Sequence, residues 1–289
     1  MNKLNTFLTS LVDMPVYLSD TPCKKITNYN NKPNVLKIKD TNYKRLMVMG
    51  DIHGMFDKAI SALSNANISK DDFVIFLGDY TDRGLQNLEC MKLLLAAVKQ
   101  PNMLPLLGNH ELMLVQYFIR SAQLVTDQYY TPNDIDNMSK NQWTKIVDFM
   151  KNNDDDIYMY NGGSFTLSEI TFETLPIFKE YLKTIYNLDL SYSLIINNQR
   201  YYFAHAGINP FKSLDRQNLE DLVWIREKFY DNYNDDTIIT VGHTPTLSLF
   251  KDNVPHFYHN IIFADTASFS RHGKVTVMDI LNNEYWQNE

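Results

Sequence analysis

The chain has little of several features that would place it in a specialised class of protein. Only two of its 289 residues are cysteines, Cys23 and Cys90, so we expect neither a disulfide framework nor a thiolate zinc site, and we expect a reducing compartment. No apolar run approaches the roughly 20 residues that span a bilayer, and the first 20 residues lack the pattern of a signal peptide. The sequence therefore predicts a cytoplasmic protein without a membrane partner.

Basic residues are also in the minority. The chain has 27 Lys and Arg against 34 Asp and Glu, which gives a formal net charge of -7. Because binding to a phosphate backbone requires a basic face, we expect no nucleic-acid partner. The hydrophobic content of 44% and charged content of 21% are ordinary for a globular protein, and we expect one domain over residues 1–289.

What the sequence does contain is a set of short apolar runs, each followed by glycine or alanine and then by a residue of metal-ligand type. Such a run predicts a strand buried on both faces, and ligands bind beyond the carboxyl ends of such strands in α/β sheets. Glycine before the ligand lets the backbone turn sharply and approach an ion or a phosphate closely. The runs 46–49, 74–77, 104–107, 201–203 and 238–241 precede, in that order, Asp51 with His53, Asp79, Asn109, His205 and His243.

Helical patterns follow two of these motifs. Apolar residues from Phe56 to Leu63 recur at helical spacing after the first, and a second series runs from Leu112 to Leu124 after Glu111. The first turn of a helix favours an acidic residue such as Glu111. The order of strand, loop and helix therefore places the candidate ligands in loops at one edge of a sheet.

The candidate ligands offer two kinds of donor atom. Asp51, Asp79 and Asn109 offer oxygen, and the other three, His53, His205 and His243, offer imidazole nitrogen. Six ligands are too many for one tetrahedral ion but suit two divalent cations, which a shared carboxylate can hold about 3.5–4 Å apart. We expect Asp79 to be that bridge. The mixed ligand set suits manganese, our first expectation, with iron, zinc and nickel as alternatives.

The ordered motifs G-D-I-H-G, G-D-Y-T-D-R-G, G-N-H-E, H-A-G and G-H-T resemble the PPP family of serine/threonine phosphoprotein phosphatases, within the calcineurin-like metallophosphoesterase superfamily. Trp224-Ile225-Arg226-Glu227 and Asn161-Gly162-Gly163 are similar to segments of its bacterial and phage branch. The resemblance extends from about residue 46 to about residue 279. It implies an α/β fold, a four-layer α/β/β/α sandwich of two mixed sheets flanked by helices.

The resemblance also implies a role for each motif residue. The metal ligands would be Asp51 and His53 for the first metal, Asp79 as the bridge, and Asn109, His205 and His243 for the second. His110 would donate a proton to the leaving oxygen, with Asp82 as its orienting carboxylate. The substrate phosphate would be bound by Arg83, Arg226, Asn109 and His110. A guanidinium suits this task because its planar fork matches two phosphate oxygens.

The implied function is a dimetal phosphomonoester hydrolase that acts on phosphorylated Ser, Thr or Tyr, with a metal-bridging hydroxide attacking phosphorus in line. A dinucleoside polyphosphate hydrolase, cleaving a substrate such as diadenosine tetraphosphate, is the alternative within the family; Asp82 and Glu111 favour the phosphatase. A phosphodiesterase or nuclease is disfavoured by Arg83 and by the acidic charge. A catalytically silent phosphopeptide-binding scaffold is disfavoured because every expected ligand is present. The physiological substrate, the metals and the oligomeric state stay open.

Each motif also has a structural interpretation. A lone Gly-Asp after a strand is typical of a tight turn, and a lone His after an apolar run is typical of a buried, hydrogen-bonded imidazole. Arg226 could equally form a solvated pair on a helix. Two positions depart from the family pattern: Leu85 stands where Pro is common, and Ala267 stands where Gly is common.

Two segments carry no candidate ligand. The leader, residues 1–44, has no counterpart in the family pattern, and its role stays open. The insert, about residues 126–187, mixes Asn-rich loops with helical patterns. We expect the insert to form a cap beside the groove and to influence the choice of substrate, because specificity tends to reside in segments mounted on a rigid scaffold.

Overall fold

The computed structural model describes residues 37–39, 43–226 and 228–289, so most of the predicted leader lies outside the described residues, as do Cys23 and Glu227. The strands are β1 (Lys37–Lys39), β2 (Arg45–Met49), β3 (Asp72–Phe76), β4 (Met103–Pro105), β5 (Ser191–Ile196), β6 (Gln199–Ala204), β7 (Ile238–Val241), β8 (His256–Tyr258), β9 (Ile261–Phe263), β10 (Thr276–Asp279) and β11 (Glu284–Gln287).

The α-helices are α1 (Phe56–Asn65), α2 (Asn87–Ala97), α3 (Asn109–Thr126), α4 (Lys140–Asn152), α5 (Ser164–Ser168), α6 (Leu175–Tyr186), α7 (Leu219–Val223) and α8 (Thr246–Leu249). Short 3-10 helices cover Pro132–Asn137, Leu214–Arg216 and Phe229–Asp231, and a π-helix covers Met159–Gly163. Among the residues that the structure describes, no helix is long and apolar enough to cross a membrane.

The strands form two mixed sheets. One has the order β11-β10-β2-β3-β4, in which β2, β3 and β4 are parallel, and α1 and α2 provide the two crossovers. The other has the order β1-β5-β6-β7-β9-β8, in which β6, β7 and β9 are parallel. The predicted fold class, two mixed sheets flanked by helices, is confirmed. The five predicted runs divide between the sheets, with three strands in the first and two in the second.

Alternation along the strands builds two cores. In β2, Leu46 and Val48 pack into the core between the sheets, whereas Met47 and Met49 belong to the larger core beneath the helices. Successive side chains of a strand point to opposite faces, so one buried run supplies both cores. The inter-sheet core holds the two sheets face to face and aligns the carboxyl ends of their parallel strands.

Both predicted helical patterns form helices, as α1 and α3. Helix α1 buries Phe56, Ala59, Ile60 and Leu63, as its spacing indicates. Helix α3 begins at Asn109, so the ligand-type residue is itself its first residue. The last apolar residue of this pattern, Leu124, lies near the end of α3, and its side chain is 71% exposed.

The insert forms α4, α5 and α6 with the π-helix between α4 and α5, and it packs on the first sheet's helices. Helices α4 and α6 both contact α3, and α6 also contacts α2. An aromatic cluster joins them: the Trp143 ring centroid of α4 lies 5.6 Å from that of Phe118 in α3 and 6.0 Å from that of Phe178 in α6. The insert therefore shares the main apolar core.

Candidate active site

The loops after β2, β3, β4, β6 and β7 meet at one end of the two-sheet sandwich. They bring together all six predicted ligands, and each of these side chains is at most 4% exposed. A buried cluster of three imidazoles, two carboxylates and an amide is costly unless its members share charge or a cation. The six ligands are Asp51, His53, Asp79, Asn109, His205 and His243.

Three of the six ligands, and the neighbouring Asp82 and Arg83, have a left-handed backbone conformation. The φ angles are 49° at His53, 54° at Asp79, 74° at Asp82, 68° at Arg83 and 63° at His243. Non-glycine residues rarely take this conformation, although Asp, Asn and His do so more readily than others. Such strained backbone is typical of functional sites, where the surrounding structure maintains it.

Glycine is required beside two ligands because a side chain would occupy the ligand's place. A Cβ at Gly108 would lie 2.2 Å from Asp79 Oδ1, and a Cβ at Gly242 would lie 2.2 Å from Asp51 Oδ1. Both distances are far below van der Waals contact. The Gly-ligand pattern of the sequence thus reflects close approach of one loop's backbone to another loop's carboxylate.

Asn109, His205 and His243 form the tighter group of ligands. Asn109 Oδ1 lies 2.9 Å from His205 Nε2 and 2.8 Å from His243 Nδ1, and Asp79 Oδ1 lies 3.3 Å from His205 Nε2. His205 Nδ1 faces the Leu77 carbonyl at 2.9 Å, a contact that fixes Nδ1 as the donor. Its Nε2 lone pair then points at oxygen atoms that can only accept, so this group needs either an extra proton or a cation.

Asp51 and His53 form a looser group with the other oxygen of Asp79. His53 Nε2 lies 3.5 Å from Asp79 Oδ2 and 3.9 Å from Asp51 Oδ2, while His53 Nδ1 faces the Thr81 carbonyl at 3.2 Å. Ligands that bind one ion at about 2.0–2.2 Å lie roughly 3–4 Å from one another, which matches these separations. The residues present therefore fit two divalent cations, with Asp79 contacting both groups.

The pKa values show how strongly charge is concentrated here. Burial opposes a charge on His205, but the Asp79 carboxylate outweighs burial and raises the pKa of His205 to about 9. Burial, aided by the neighbouring His205, lowers the pKa of His243 to about 2. Burial and the nearby Asp265 carboxylate raise the pKa of Asp51 well above its ordinary value. Two imidazoles a few ångströms apart are thus shifted in opposite directions, which is typical of functional sites.

Glu111 fixes the turn at Asp79 through hydrogen bonds to its backbone. Its carboxylate accepts hydrogen bonds from the backbone N–H groups of Asp79 at 2.8 Å, Tyr80 at 2.9 Å and Gly108 at 3.2 Å, and from the Tyr181 hydroxyl at 3.1 Å. Burial, reinforced by Asp79, raises the pKa of Glu111 to about 7. The acidic first turn that the sequence indicates is therefore also a clamp on the central loop.

Asp82, Arg83 and His110 form a connected set beside the ligands. His110 Nδ1 lies 2.8 Å from Asp82 Oδ2. The Arg83 guanidinium lies 3.0 Å from His53 Nε2 and 2.9 Å from His110 Nε2, and its Cζ lies 4.4 Å from the Phe269 ring centroid. A guanidinium only donates, so both Nε2 atoms must be acceptors in this arrangement, and His110 carries its proton on Nδ1.

Arg226 lies at the solvent-facing side of His243. Its side chain is exposed, and its Nη1 lies 3.4 Å from the His243 carbonyl. Arg226 does not lie on a helix, because α7 ends at Val223 and the next helical turn begins at Phe229, and the neighbouring Glu227 lies outside the described residues. The structure thus places a second guanidinium at the rim of the same site.

Asp265 belongs to this neighbourhood and was not among the predicted site residues. It is 1% exposed and follows β9 and Ala264, and its Oδ1 accepts a hydrogen bond of 2.8 Å from the Ala267 N–H. Burial raises the pKa of Asp265 to about 6. The apolar run followed by Ala and Asp is the signal used for the other strands, and it would have found this residue. Ala267, where the family has Gly, takes a φ of 59°.

Part of this chain is similar to known phosphoesterases. Residues 44–184 match the family described as calcineurin-like phosphoesterase. A segment of 77 residues is 39% identical to serine/threonine-protein phosphatase 2 of Salmonella typhimurium; it covers 26% of this chain and only 34%, about a third, of that relative. A solved structure provisionally described as a diadenosine tetraphosphatase superposes with a TM-score of 0.55 at 15% identity, over 88% of this chain and 97% of that chain.

Proposed function

We propose that this chain, of which residues 44–184 match the calcineurin-like phosphoesterase family, is a metal-dependent phosphomonoesterase acting on phosphorylated Ser or Thr side chains of proteins. The observation that carries the proposal is the convergence of lone pairs around Asp79, from Asn109 and His205 on one side and from His53 on the other, next to the His110–Asp82 pair. A metal centre beside a paired imidazole matches the requirements of phosphate ester hydrolysis.

The ligand set defines which residues would hold the cations. Asp51 and His53 would bind one, Asn109, His205 and His243 the other, and Asp79 both. When bound, two divalent cations polarise the phosphoryl group and supply a nucleophile by lowering the pKa of water. The equal mixture of oxygen and imidazole donors suits manganese, with iron, zinc and nickel as alternatives.

His110 would protonate the departing oxygen. Once the Arg83 guanidinium leaves Nε2 of His110 for the phosphate, this nitrogen can take up a proton from solvent, and the imidazolium paired with Asp82 would pass that proton to the leaving group. Asp82 holds Nδ1 of His110 at 2.8 Å, which leaves Nε2 as the atom that faces the site. A positioned acid of this kind accelerates ester cleavage by about 10²–10⁴. In an in-line displacement, His110 must stand on the side of the leaving group, and its place beside the Asp79 carboxylate, with Nε2 at 3.9 Å from Oδ2, is close enough for that task.

Arg83 and Arg226 would bind the non-bridging oxygens of the phosphoryl group. For His53 to bind a cation through Nε2, the Arg83 guanidinium must leave that atom, and a phosphate is the acceptor to which it would move. Phe269 supports the guanidinium face, so Arg83 would keep its plane while its donors change partner. Arg226, exposed at the rim, would complete the clamp when substrate arrives.

The first test compares substrates. Purified protein supplied with Mn²⁺ should release phosphate from p-nitrophenyl phosphate and from phosphoserine or phosphothreonine peptides. Preferential cleavage of diadenosine tetraphosphate would instead identify a dinucleotide hydrolase, and preference for phosphotyrosine peptides would identify a tyrosine phosphatase. Absence of turnover on all of these with each of the four metals would reject the proposal.

The second test addresses the proton donor. His110→Asn should lower kcat on phenyl phosphate by about 10²–10⁴ while the bound metal, measured by elemental analysis, stays unchanged. The matched control is His259→Asn. His259 is exposed, and its backbone is left-handed with a φ of 52°, a conformation that Asn also accepts. Near-normal turnover by the His110→Asn protein would remove His110 from the mechanism.

A further inference from the structure

The two oxygens of the Asp82 side chain are divided between two partners. Oδ2 contacts His110 Nδ1 at 2.8 Å, whereas Oδ1 accepts hydrogen bonds from the hydroxyls of Tyr158, at 2.9 Å, and Thr166. Asp82 is completely buried, as are Tyr158 and Thr166. Both hydroxyl donors come from the insert, 76 and 84 residues further along the chain.

The backbone of Asp82 is held by the same elements. Its N–H donates to Asn87 Oδ1 at 2.8 Å and to Thr166 Oγ1 at 3.0 Å, so the Thr166 hydroxyl contacts Asp82 both as acceptor and as donor. Asn87 is in turn fixed by Glu169, whose Oε1 accepts from its side-chain amide at 2.9 Å. Because Asp82 has a φ of 74°, these contacts also maintain a strained backbone.

The Tyr158 ring has little freedom to move away. A Cβ at Gly163 would lie 2.4 Å from a ring atom of Tyr158, so the backbone of the π-helix lies directly on the ring. The neighbouring Gly162, with a φ of 97°, directs its carbonyl towards the Arg83 N–H at 3.4 Å. Burial raises the pKa of the Tyr158 hydroxyl well above its ordinary value, so the hydroxyl keeps its proton and remains a donor.

We propose that Tyr158 and Thr166 are positioning residues: by occupying Oδ1 of Asp82, they reserve Oδ2 for His110 and fix the direction in which His110 Nε2 faces the substrate. The inference rests on the proposed role of His110 as proton donor. Hydrogen bonds to a charged group are among the stronger ones in proteins, and a carboxylate with two donors on one oxygen has little freedom to rotate. The insert, expected to influence substrate choice, would thus act on the chemical step as well.

The test uses Tyr158→Phe in the full-length, metal-loaded protein. Loss of an outer partner of a metal ligand typically costs about 10–100-fold in activity, and we expect a loss of similar size for the outer partner of a proton donor. Because a proton donor matters most for a poor leaving group, kcat should fall at least tenfold on phenyl phosphate and much less on p-nitrophenyl phosphate, with KM and metal content unchanged. Tyr160→Phe is the matched control, since Tyr160 lies two residues away and is 77% exposed.

Thr166 offers a test by rescue. Thr166→Val removes the hydroxyl at nearly constant volume and should produce the same leaving-group pattern, whereas Thr166→Ser keeps the hydroxyl and should restore most of kcat. In the His110→Asn background, Tyr158→Phe should have no further effect, because the group that it positions is gone. A full additional loss in that background would overturn the proposal.

A readout independent of turnover separates this proposal from the proposed function. The His110 Nδ1 proton, assigned in a proton NMR spectrum by its disappearance in His110→Asn, should shift in Tyr158→Phe and stay in place in Tyr160→Phe. An unshifted proton, or a fall in kcat that is equal for both leaving groups, would reject the positioning role even in an active enzyme. A wild type that hydrolyses no phosphoester while this proton shifts would reject the proposed function alone.

Discussion

At the scale of single residues, Asp79 connects the two groups of ligands. Its Oδ1 lies 3.3 Å from His205 Nε2 and its Oδ2 lies 3.5 Å from His53 Nε2. Burial opposes the charged form, but the surrounding imidazoles of His205, His110 and His53 hold the pKa of Asp79 well below its ordinary value. The carboxylate is therefore ionised and available to a cation on each side.

Replacing this carboxylate tests the dimetal arrangement. Asp79→Asn keeps the size of the side chain and removes its charge, so the protein should retain fewer than about two metal ions per chain and lose more than the 10–100-fold in kcat that removal of an outer partner costs. Elemental analysis after gel filtration gives the metal content. The control is Asp71→Asn, a carboxylate in a surface ion pair with Lys44. Two bound ions and normal turnover in Asp79→Asn would contradict the assignment.

A substitution at Gly242 tests the close approach of this residue to Asp51 without removing a ligand. Gly242→Ala would drive a Cβ against Asp51 Oδ1, and we expect metal affinity to fall by about 10–100-fold, measured by competition with a fluorescent chelator. Gly207→Ala is the matched control, because its Cβ would meet the Ile225 and Phe229 side chains and no ligand. Equal loss of metal affinity in both proteins would show a general effect on folding.

At the scale of elements, the strands were predictable because a run buried on both faces is apolar at every position. Runs 46–49 and 74–77 correspond to β2 and β3 within a residue or two. A glycine follows four of the five runs, and Ala204 follows the fifth. The assignment of strands to two sheets was given by the resemblance alone, because β6 pairs with β7 across more than thirty residues and no local pattern encodes that pairing.

The contacts of the insert could not be predicted from local sequence patterns either, because their partners are far apart in the sequence. Tyr158 is one of 18 tyrosines, and nothing in its surrounding residues distinguishes it from the exposed Tyr160. Its partner Asp82 is 76 residues away in the sequence, and no local pattern encodes this hydrogen bond. Asp265, by contrast, was accessible to the rule already in use and was overlooked.

The aromatic cluster of the insert predicts that the insert unfolds together with the main domain. Phe178 is completely buried beside Trp143, so Phe178→Ala should lower the free energy of unfolding by about 3–5 kcal/mol in one cooperative transition. The comparison is Phe172→Ala, where the ring is 65% exposed and contacts Lys140, and the cost should stay below about 1 kcal/mol. A separate early transition in the denaturation curve of Phe178→Ala would instead indicate an independent insert.

At the scale of the whole molecule, the ligands come from both sheets. Asp51, His53 and Asp79 follow strands of the first sheet, whereas His205 and His243 follow strands of the second. A cation held by His205 and Asp79 would therefore link one sheet to the other in addition to the inter-sheet core. Metal binding and the stability of the sandwich should be coupled.

This coupling is measurable as a melting temperature. A ligand at 100 times its Kd that binds only the folded state adds about 2.7 kcal/mol, and we expect Mn²⁺ to raise Tm by roughly 5 °C or more over the chelator-treated protein. Asp79→Asn should show a much smaller shift in the same scan. A wild-type Tm that does not change when Mn²⁺ is added would argue against ions shared between the sheets.

The left-handed backbone of the site has a consequence for how this chain can diverge. His53, Asp79, Asp82 and His243 occupy positions that β-branched residues avoid, and they are of the types that accept such φ angles most readily. Folding alone would therefore restrict these positions in a descendant that had abandoned hydrolysis. Asp or His retained at these positions in a relative would therefore be evidence of the turn geometry and not, by itself, of the chemistry. The loss of a ligand on ordinary backbone, such as Asn109 at the start of α3, would be the informative change.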